Sequence, residues 1–586
     1  NYGSKVMIQI THLGRRTNWN HSDWLPVLSA SQVREPAHRA FPKEAEDWDI
    51  DRIIKDYADA AQRMKEANMD GIEIEAYGHF LDSFWSPATN KRNDEYGGDL
   101  SNRTKFSIKV IEAIRKSVGS DFIVGVRMVA DEDWDKGLTK EEGLRIVKKI
   151  IDTDKVDFLN IIRGHIDTDA SLSKVIPIQG MASSPHLNFA GEIKLKSNFP
   201  IFHASKINDV ATARYAIETG KLDMVGMTRA HIADPHIVKK IINGKENTIR
   251  PCVGATYCLD RIYEGNEALC IHNPATGREK FIPHEILIKT SKKKKIVIVG
   301  AGPSGLEAAK VCSERGHEVV VFEASNIAGG QINLITRSDR RKDMLGIIDW
   351  RIEACKNKEV KFYYNTFATK ELILSEKPNS IIIATGGIPN TDILEEGNEF
   401  VCSTWDIISG SINIEEDVIL FDDNGGYPGL QAAETIVNSG SKLEIITPER
   451  FFAPEIGGLN HVAYARKFIE KNVVITINKR LKSIKKDGNR LSATIGSDYS
   501  NKIENKKTSQ IVIEHGTLPN SDLYFDLKGD SKNLGSIDYD AMIKGKFNEI
   551  IKNKYGNYFL YRVGDAISSR NIHASIYDSL RICKDL

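Results

Sequence analysis

A chain of 586 residues is longer than one hydrophobic core can serve, and its length implies three or four domains. Its 80 Lys and Arg offset 80 Asp and Glu, so neither nucleic acid nor an anionic membrane surface is an expected partner. No run reaches the eighteen or so apolar residues of a membrane span, and seven cysteines at this length build no disulfide framework, which points to a reducing, cytoplasmic setting.

From Asn1 to about residue 250, short apolar runs alternate with amphipathic stretches of helical period, the pattern of a parallel β/α sheet. The strands read as KVMIQIT, GIEIEA, FIVGVRM, VDFLNII, PIFHAS and LDMVGM. Between them, DIDRIIKDYADAAQRMKEANMD places apolar residues three and four apart, as a covering helix requires. Six strands are two short of a closed eight-stranded barrel.

Residues 251–290 carry Cys252, Cys258 and Cys270 in RPCVGATYCLDRIYEGNEALC. Spaced cysteines in a reducing compartment read as metal ligands, either of an iron–sulfur centre or of zinc with His272 completing a Cys3His set. Cys312, Cys355, Cys402 and Cys583 are scattered and read as buried thiols.

A nucleotide fold opens at residue 291. KIVIVGAGPSGLEAAKVCSERGHEVVVFEAS is a strand, a G-x-G-x-x-G turn on Gly300, Gly302 and Gly305, a helix and a second strand ending at Glu323. The glycines let backbone approach a pyrophosphate at a helix N-terminus, and Glu323 suits the adenosine ribose. Residues 291–414 form the first part of this module and 515–586 the second. A module at 415–514 repeats the fingerprint as VILFDDNGGYPGLQAAE, with Asn424, Gly426 and Gly429 on the glycine positions. Asp422 and Asp423 would repel a pyrophosphate there, and the next strand ends on Thr447 instead of an acidic ribose ligand, so this site is expected not to use nicotinamide.

QITHLGRR, DGIEIEAYGHFLDSFWSPATNKRNDEYGGDLSNRTKF, VGVRM and VGMTRAHIADP resemble the third, fourth, fifth and eighth strand regions of old yellow enzyme-like FMN barrels. With the cysteine segment and the nucleotide module, the whole chain resembles the NADH:flavin oxidoreductase family of the trimethylamine dehydrogenase and 2,4-dienoyl-CoA reductase type. The resemblance implies an incomplete TIM barrel, lacking its first two βα units, followed by a Rossmann-like FAD/NAD(P) module. It gives Gln9 to the flavin pyrimidine edge, Arg127 to the negative charge of reduced flavin, and Ser205, Lys206, Thr228 and Arg229 to the FMN phosphate. It places Gly330, Gln331 and Asp565, in GGQI and YRVGDA, against FAD, or against ADP in the same fold. It makes the cysteines ligands of a 4Fe-4S cluster, or of a 3Fe-4S one because the second ligand position falls on Ala255.

The family's histidine pair is not intact, since Tyr77 falls on the second histidine and His79 on the following tyrosine, with Glu75 near the first. Amine chemistry fits this set, with Tyr77 as proton acceptor and Glu75 holding a cation, while Asn160 takes the place of a supporting aspartate. Arg163 is a candidate for a substrate carboxylate, and the alternative for it is an ordinary ion pair. The expected function is oxidative N-demethylation of a methylated amine or amino acid, of the dimethylglycine or N-methylproline type, by a homo-oligomer passing electrons to an electron-transfer flavoprotein-like acceptor. Two alternatives stay open: an NAD(P)H-dependent dienoyl-CoA or enoate reductase, and a cofactor-poor gene fragment.

Overall fold

The computed structural model describes residues 3–20, 23–286 and 290–586. Positions 287–289 of the segment following the cysteines therefore lie outside the described residues. Contacts divide the chain into two compact units, Asn1–Arg229 and Ala230–Leu586.

In the first unit six parallel strands pair in chain order: β1 (Met7–Ile10), β2 (Gly71–Ala76), β3 (Ile123–Val129), β4 (Phe158–Ile162), β5 (Ile201–His203) and β6 (Met224–Val225). They coincide with the six apolar runs of the sequence. Helix α1 (Asp47–Glu66) opens with a reciprocal cap between Glu46 and Asp49 and buries Ile50, Ile53, Tyr57 and Ala61 along one stripe. It packs on α2 (Leu100–Val118), whose Phe106, Val110, Ile114 and Val118 are fully covered. Burying a side chain of this size is worth roughly 1.5–3 kcal/mol.

Strand periodicity sorts the two faces of the sheet. Ile72, Ile74, Val124, Val126, Leu159 and Ile161 join the core shared with the helices. The residues between them, Glu73, Glu75, Arg127 and Asn160, turn by the same period to the other face. Strand pairing sets Gln9 opposite Glu73, Glu75 opposite Arg127, and Arg127 opposite Asn160.

The second unit contains two five-stranded parallel sheets. One has the order β9-β8-β7-β10-β16, from β7 (Lys295–Val299), β8 (Glu318–Phe322), β9 (Lys361–Tyr363), β10 (Ser380–Ile383) and β16 (Phe559–Arg562). The other has the order β11-β15-β12-β13-β14, from β11 (Val401–Ser403), β12 (Asp417–Asp422), β13 (Lys442–Ile446), β14 (Val474–Thr476) and β15 (Gln510–Glu514). An antiparallel meander over residues 480–508 adjoins the second sheet's last strand in the chain. The helices used below are α3 (Tyr257–Tyr263), α4 (Pro303–Glu314), α5 (Gly346–Lys356), α6 (Tyr427–Asn438), α7 (Gly458–Glu470) and α8 (Ile572–Cys583). Among the described residues no helix is long and apolar enough to cross a membrane.

Candidate functional site

The polar face of the first sheet is a connected network. Gln9 Nε2 donates to Glu73 Oε1 at 2.7 Å, and Asn160 Nδ2 donates to the other Glu73 oxygen at 2.9 Å. Glu73 was not among the sequence candidates, because a lone carboxylate in a strand reads as a solvent-facing position. The Arg127 guanidinium lies 5.9 Å from the centre of the Tyr77 ring. His79 Nδ1 stands 3.4 Å from Glu75 Oε2.

Local sequence fixes this turn. Gly78 adopts φ +70° against the Ile166 side chain, which leaves no room for a Cβ. The Asp82 carboxylate, at the third position of the helix Phe80–Ser83, accepts the amides of Gly78 and His79. Burial raises the Glu75 carboxyl above its ordinary value, opposed by a hydrogen bond from Thr11 and by Arg127. Burial, with Arg16, His38 and His12 nearby, pushes His79 down to about 4. At neutral pH His79 is therefore an uncharged neighbour of a carboxyl that burial makes easier to protonate.

At the expected phosphate end the cations bond backbone carbonyls. Lys206 Nζ donates to the Ile178 carbonyl at 3.1 Å and to the Met181 carbonyl, and Arg229 Nη1 donates to the Pro177 carbonyl at 3.0 Å. Both cations hold the loop at 177–181, while Thr228 starts the helix Thr228–Ala233. Beside them lies a residue the sequence reading passed over, His203 at the end of β5. Its Nδ1 bonds the Ile161 carbonyl at 2.7 Å, and since a carbonyl only accepts, Nε2 is left as the acceptor nitrogen. Burial drives this imidazole down to about 4.

His203 Nε2, Ser205 Oγ, Ser184 Oγ and Asn160 Oδ1 are all buried without a hydrogen-bond partner. Leaving one such group unmet costs ~1–3 kcal/mol. Several orphaned polar atoms above adjacent strand ends suit a ligand carrying hydroxyls, a phosphate and a polar ring edge, and FMN meets that description. Arg163 does not belong to the set. Its Nε and Nη2 pair with Asp131 and Asp133, each at 2.9 Å, so the carboxylate role is corrected to the ion-pair alternative. Its partners lie in the loop after β3, which His165 Nδ1 also braces by donating to the Glu132 carbonyl at 3.1 Å.

In the second unit Cys252 and Cys258 are half-buried and Cys270 is buried, with burial and the neighbouring Cys252 both raising the Cys270 thiol. Among the described residues no three His, Cys, Asp or Glu side chains gather closely enough to hold a metal ion. Cys258 sits in the first turn of α3, and Ala255 packs against apolar neighbours. The zinc alternative with His272 does not fit. His272 Nε2 donates to the Pro251 carbonyl at 2.7 Å while Nδ1 accepts from Arg351 Nη1 at 3.4 Å, so neither nitrogen is available to a metal. Nor does this arrangement, with three thiols and Ala255, present a closed set for a cluster.

The first nucleotide fold frames a cavity of about 920 Å³, lined by Gly300, Gly302, Glu323, Gly330, Gln331 and Asp565 among others. A Cβ on Gly305 would fall 1.9 Å from the Gly300 carbonyl oxygen, so the third glycine permits the close approach of α4 to the turn. Glu323 Oε2 accepts the Ala301 amide at 2.7 Å, and Gln331 Nε2 donates to Asp565 Oδ2 at 3.0 Å.

The inserted module differs at the same place. Asp422 Oδ1 accepts the amides of Asn424 at 3.1 Å and Gly425 at 2.7 Å, donors a pyrophosphate would use. A Cβ on Gly429 would lie 2.1 Å from Asp422 Oδ2, so this glycine makes room for the chain's own carboxylate. Asp423 pairs with His515 at 2.6 Å. Asp422 thus caps the amides of its own turn, and Asp423 lies outside it beside His515 and Arg480. Tyr427, at the start of α6, bonds Asn460 of α7 at 2.7 Å, and Asn460 Nδ2 also reaches Thr256 beside Cys258.

The NADH:flavin oxidoreductase / NADH oxidase family matches residues 1–248, and the pyridine nucleotide-disulphide oxidoreductase family matches residues 294–550. A probable N-methylproline demethylase of Rhizobium meliloti (strain 1021) is 55% identical over 100% of this chain and 86% of its own length. The N,N-dimethylglycine/sarcosine dehydrogenase of Chromohalobacter salexigens is 39% identical over 100% of this chain and 86% of its own. Among solved structures, histamine dehydrogenase from Rhizobium sp. 4-9 shares the fold with a TM-score of 0.87 at 21% identity, covering 100% of this chain and 84% of that one. The chain is an oxidoreductase belonging to the NADH:flavin oxidoreductase / NADH oxidase family, with a pyridine nucleotide-disulphide oxidoreductase module following its flavin barrel.

Proposed function

We propose that the chain oxidatively removes an N-methyl group from a methylated amine or amino acid, of the dimethylglycine or N-methylproline type. The observation that carries this reading is the pairing of Glu75 with a neutral His79 beside Tyr77, where the family's histidine pair would polarise a carbonyl. Full-length similarity to the two relatives supports it.

A substrate ammonium must lose its proton before the adjacent C–H bond breaks. Glu75, with its carboxyl raised by burial, attracts the cation and accepts that proton, and Tyr77 closes the site over it. FMN bound on this face supplies the two-electron acceptor for the hydride leaving the N-methyl carbon. Water adds to the resulting iminium, and the C–N bond breaks to give formaldehyde and the demethylated amine. Two electrons then leave through a one-electron carrier of the electron-transfer flavoprotein type, since the inserted module's turn is filled by Asp422. Gln9, Arg127, Ser205, His203 and Thr228 would hold the FMN, and the 920 Å³ cavity would take FAD or ADP. The hydride step and the hydrolysis rest on Glu75, Tyr77 and the flavin site alone and do not involve Cys252, Cys258 or Cys270.

The test is anaerobic mixing of the flavin-loaded protein with N-methylproline or N,N-dimethylglycine, alongside NADH and NADPH. Flavin bleaching with stoichiometric formaldehyde from an amine, and no bleaching by either nicotinamide, is the expected result. Rapid bleaching by NADPH with none by any methylated amine would assign enoate or thioester reduction instead.

A further inference from the structure

Away from the sites above, the second unit encloses a cleft of about 470 Å³ between the segment 234–250, the end of α4 and the exposed side of α5. Arg250 is 8% exposed and lines it, with its guanidinium 4.3 Å from the Trp350 ring. Trp350 is itself fixed by donating Nε1 to the Thr248 carbonyl at 3.0 Å. The Arg250 Nε has no hydrogen-bond partner.

The surrounding carboxylates are already committed. Asp234 pairs with Lys240 at 2.6 Å, Glu314 with Lys310 at 3.0 Å, and Glu307 with Arg351 at 2.7 Å. Glu353 reaches Lys356 at 3.9 Å, which leaves Glu285 as the remaining acid of the wall. Against it stand Arg250 and three lining lysines, Lys239, Lys245 and Lys358, that make no ion pair among the described residues. Arg250 makes no direct ion pair, since Asp234 and Glu307, which feel its charge, are each bonded to another cation, and an anion entering the cleft would pair with it directly.

We infer that this cleft is a binding site for a phosphate group carried by a small molecule. A planar fork at its base with ammonium groups around it matches a dianion of three oxygens better than a single carboxylate. The indole beside Arg250 offers an apolar flank to the rest of the ligand.

The test is lysine labelling of the full, flavin-loaded chain with an amine-reactive ester, read residue by residue by mass spectrometry. Inorganic phosphate should lower labelling of Lys239, Lys245 and Lys358 by about fivefold, and chloride at equal ionic strength should not. Arg250→Met, with an unchanged circular dichroism spectrum, should raise the half-saturating phosphate concentration by about tenfold or more. If that variant does not fold, the double change Lys239→Gln and Lys245→Gln should weaken protection of Lys358 severalfold. No protection, protection equal in chloride, or protection undiminished in the folded variants would overturn the site. Protection by aspartate as strong as by phosphate would overturn the phosphate assignment in favour of a carboxylate ligand.

Discussion

Glu75 and His79 lie 3.4 Å apart, and burial moves them in opposite directions, raising the carboxyl and lowering the imidazole to about 4. Both shifts favour the uncharged forms relative to the free groups, and an ammonium bound beside Glu75 favours its carboxylate, the form that accepts the proton. Glu75→Gln should lower kcat/KM for the amine by roughly 100-fold or more while leaving flavin content unchanged. In the parent, kcat/KM should fall as pH drops through the raised Glu75 value, above the usual carboxylate range; a flat acid limb would remove Glu75 from the reaction. His203 calls for a different measurement. Its acceptor nitrogen is orphaned beside Ser205, so His203→Phe should weaken FMN retention about tenfold on dialysis, which corresponds to ~1.4 kcal/mol. His203 was not legible in the sequence because one histidine at a strand end is more often packing than ligand. Glu73 escaped for the related reason that its partners, Gln9 and Asn160, lie on strands 64 and 87 residues away.

At the scale of elements, the six strands were legible because each is a short apolar run between stretches of helical period, and the pairing follows those runs in chain order. Loops follow no such rule. Arg163 follows the fourth strand and resembled a carboxylate grip, but Asp131 and Asp133 from the preceding loop take its fork. The half-exposed pairs are worth little each, so Arg163→Ala should lower Tm by no more than about 2–4 °C. The ratio of KM for dimethylglycine to that for dimethylamine should not change; a selective rise for the amino acid would restore the carboxylate role. At the turn after β12 the sequence shows two acids and not where each points; Asp422 turns inward onto the amides of Asn424 and Gly425, and Asp423 turns toward His515. Burial raises Asp422 from 3.8 to about 7. Its contribution to stability is therefore full below the unfolded value of 3.8 and is lost as pH rises toward 7 and beyond. Asp422→Asn should remove that loss, raising Tm by roughly 4 °C or more near pH 8 and by less near pH 5. An equal change at both would show that the carboxyl is not buried as described.

For the whole molecule, the 55% identical relative aligns over 100% of the chain, while the two family models match residues 1–248 and 294–550. The cysteine segment is the part least like its resemblance. Ala255 supplies no ligand atom and His272 is committed elsewhere, so the protein purified without oxygen should carry well under four irons per chain. Ala255→Cys should raise iron and acid-labile sulfide together. Zinc as the dominant metal, in parent or variant, would count against an iron site altogether.

The self-capped turn of the inserted module also has a consequence for concentration. A carboxylate tethered three residues from the amide it binds competes at an effective concentration of millimolar or more, and dilution does not lower it. A diffusing nicotinamide gains occupancy only in proportion to its own concentration, and here it must first displace a ligand that never leaves. Under the proposed function, electron flow is thereby set apart from the cell's ratio of reduced to oxidised nicotinamide.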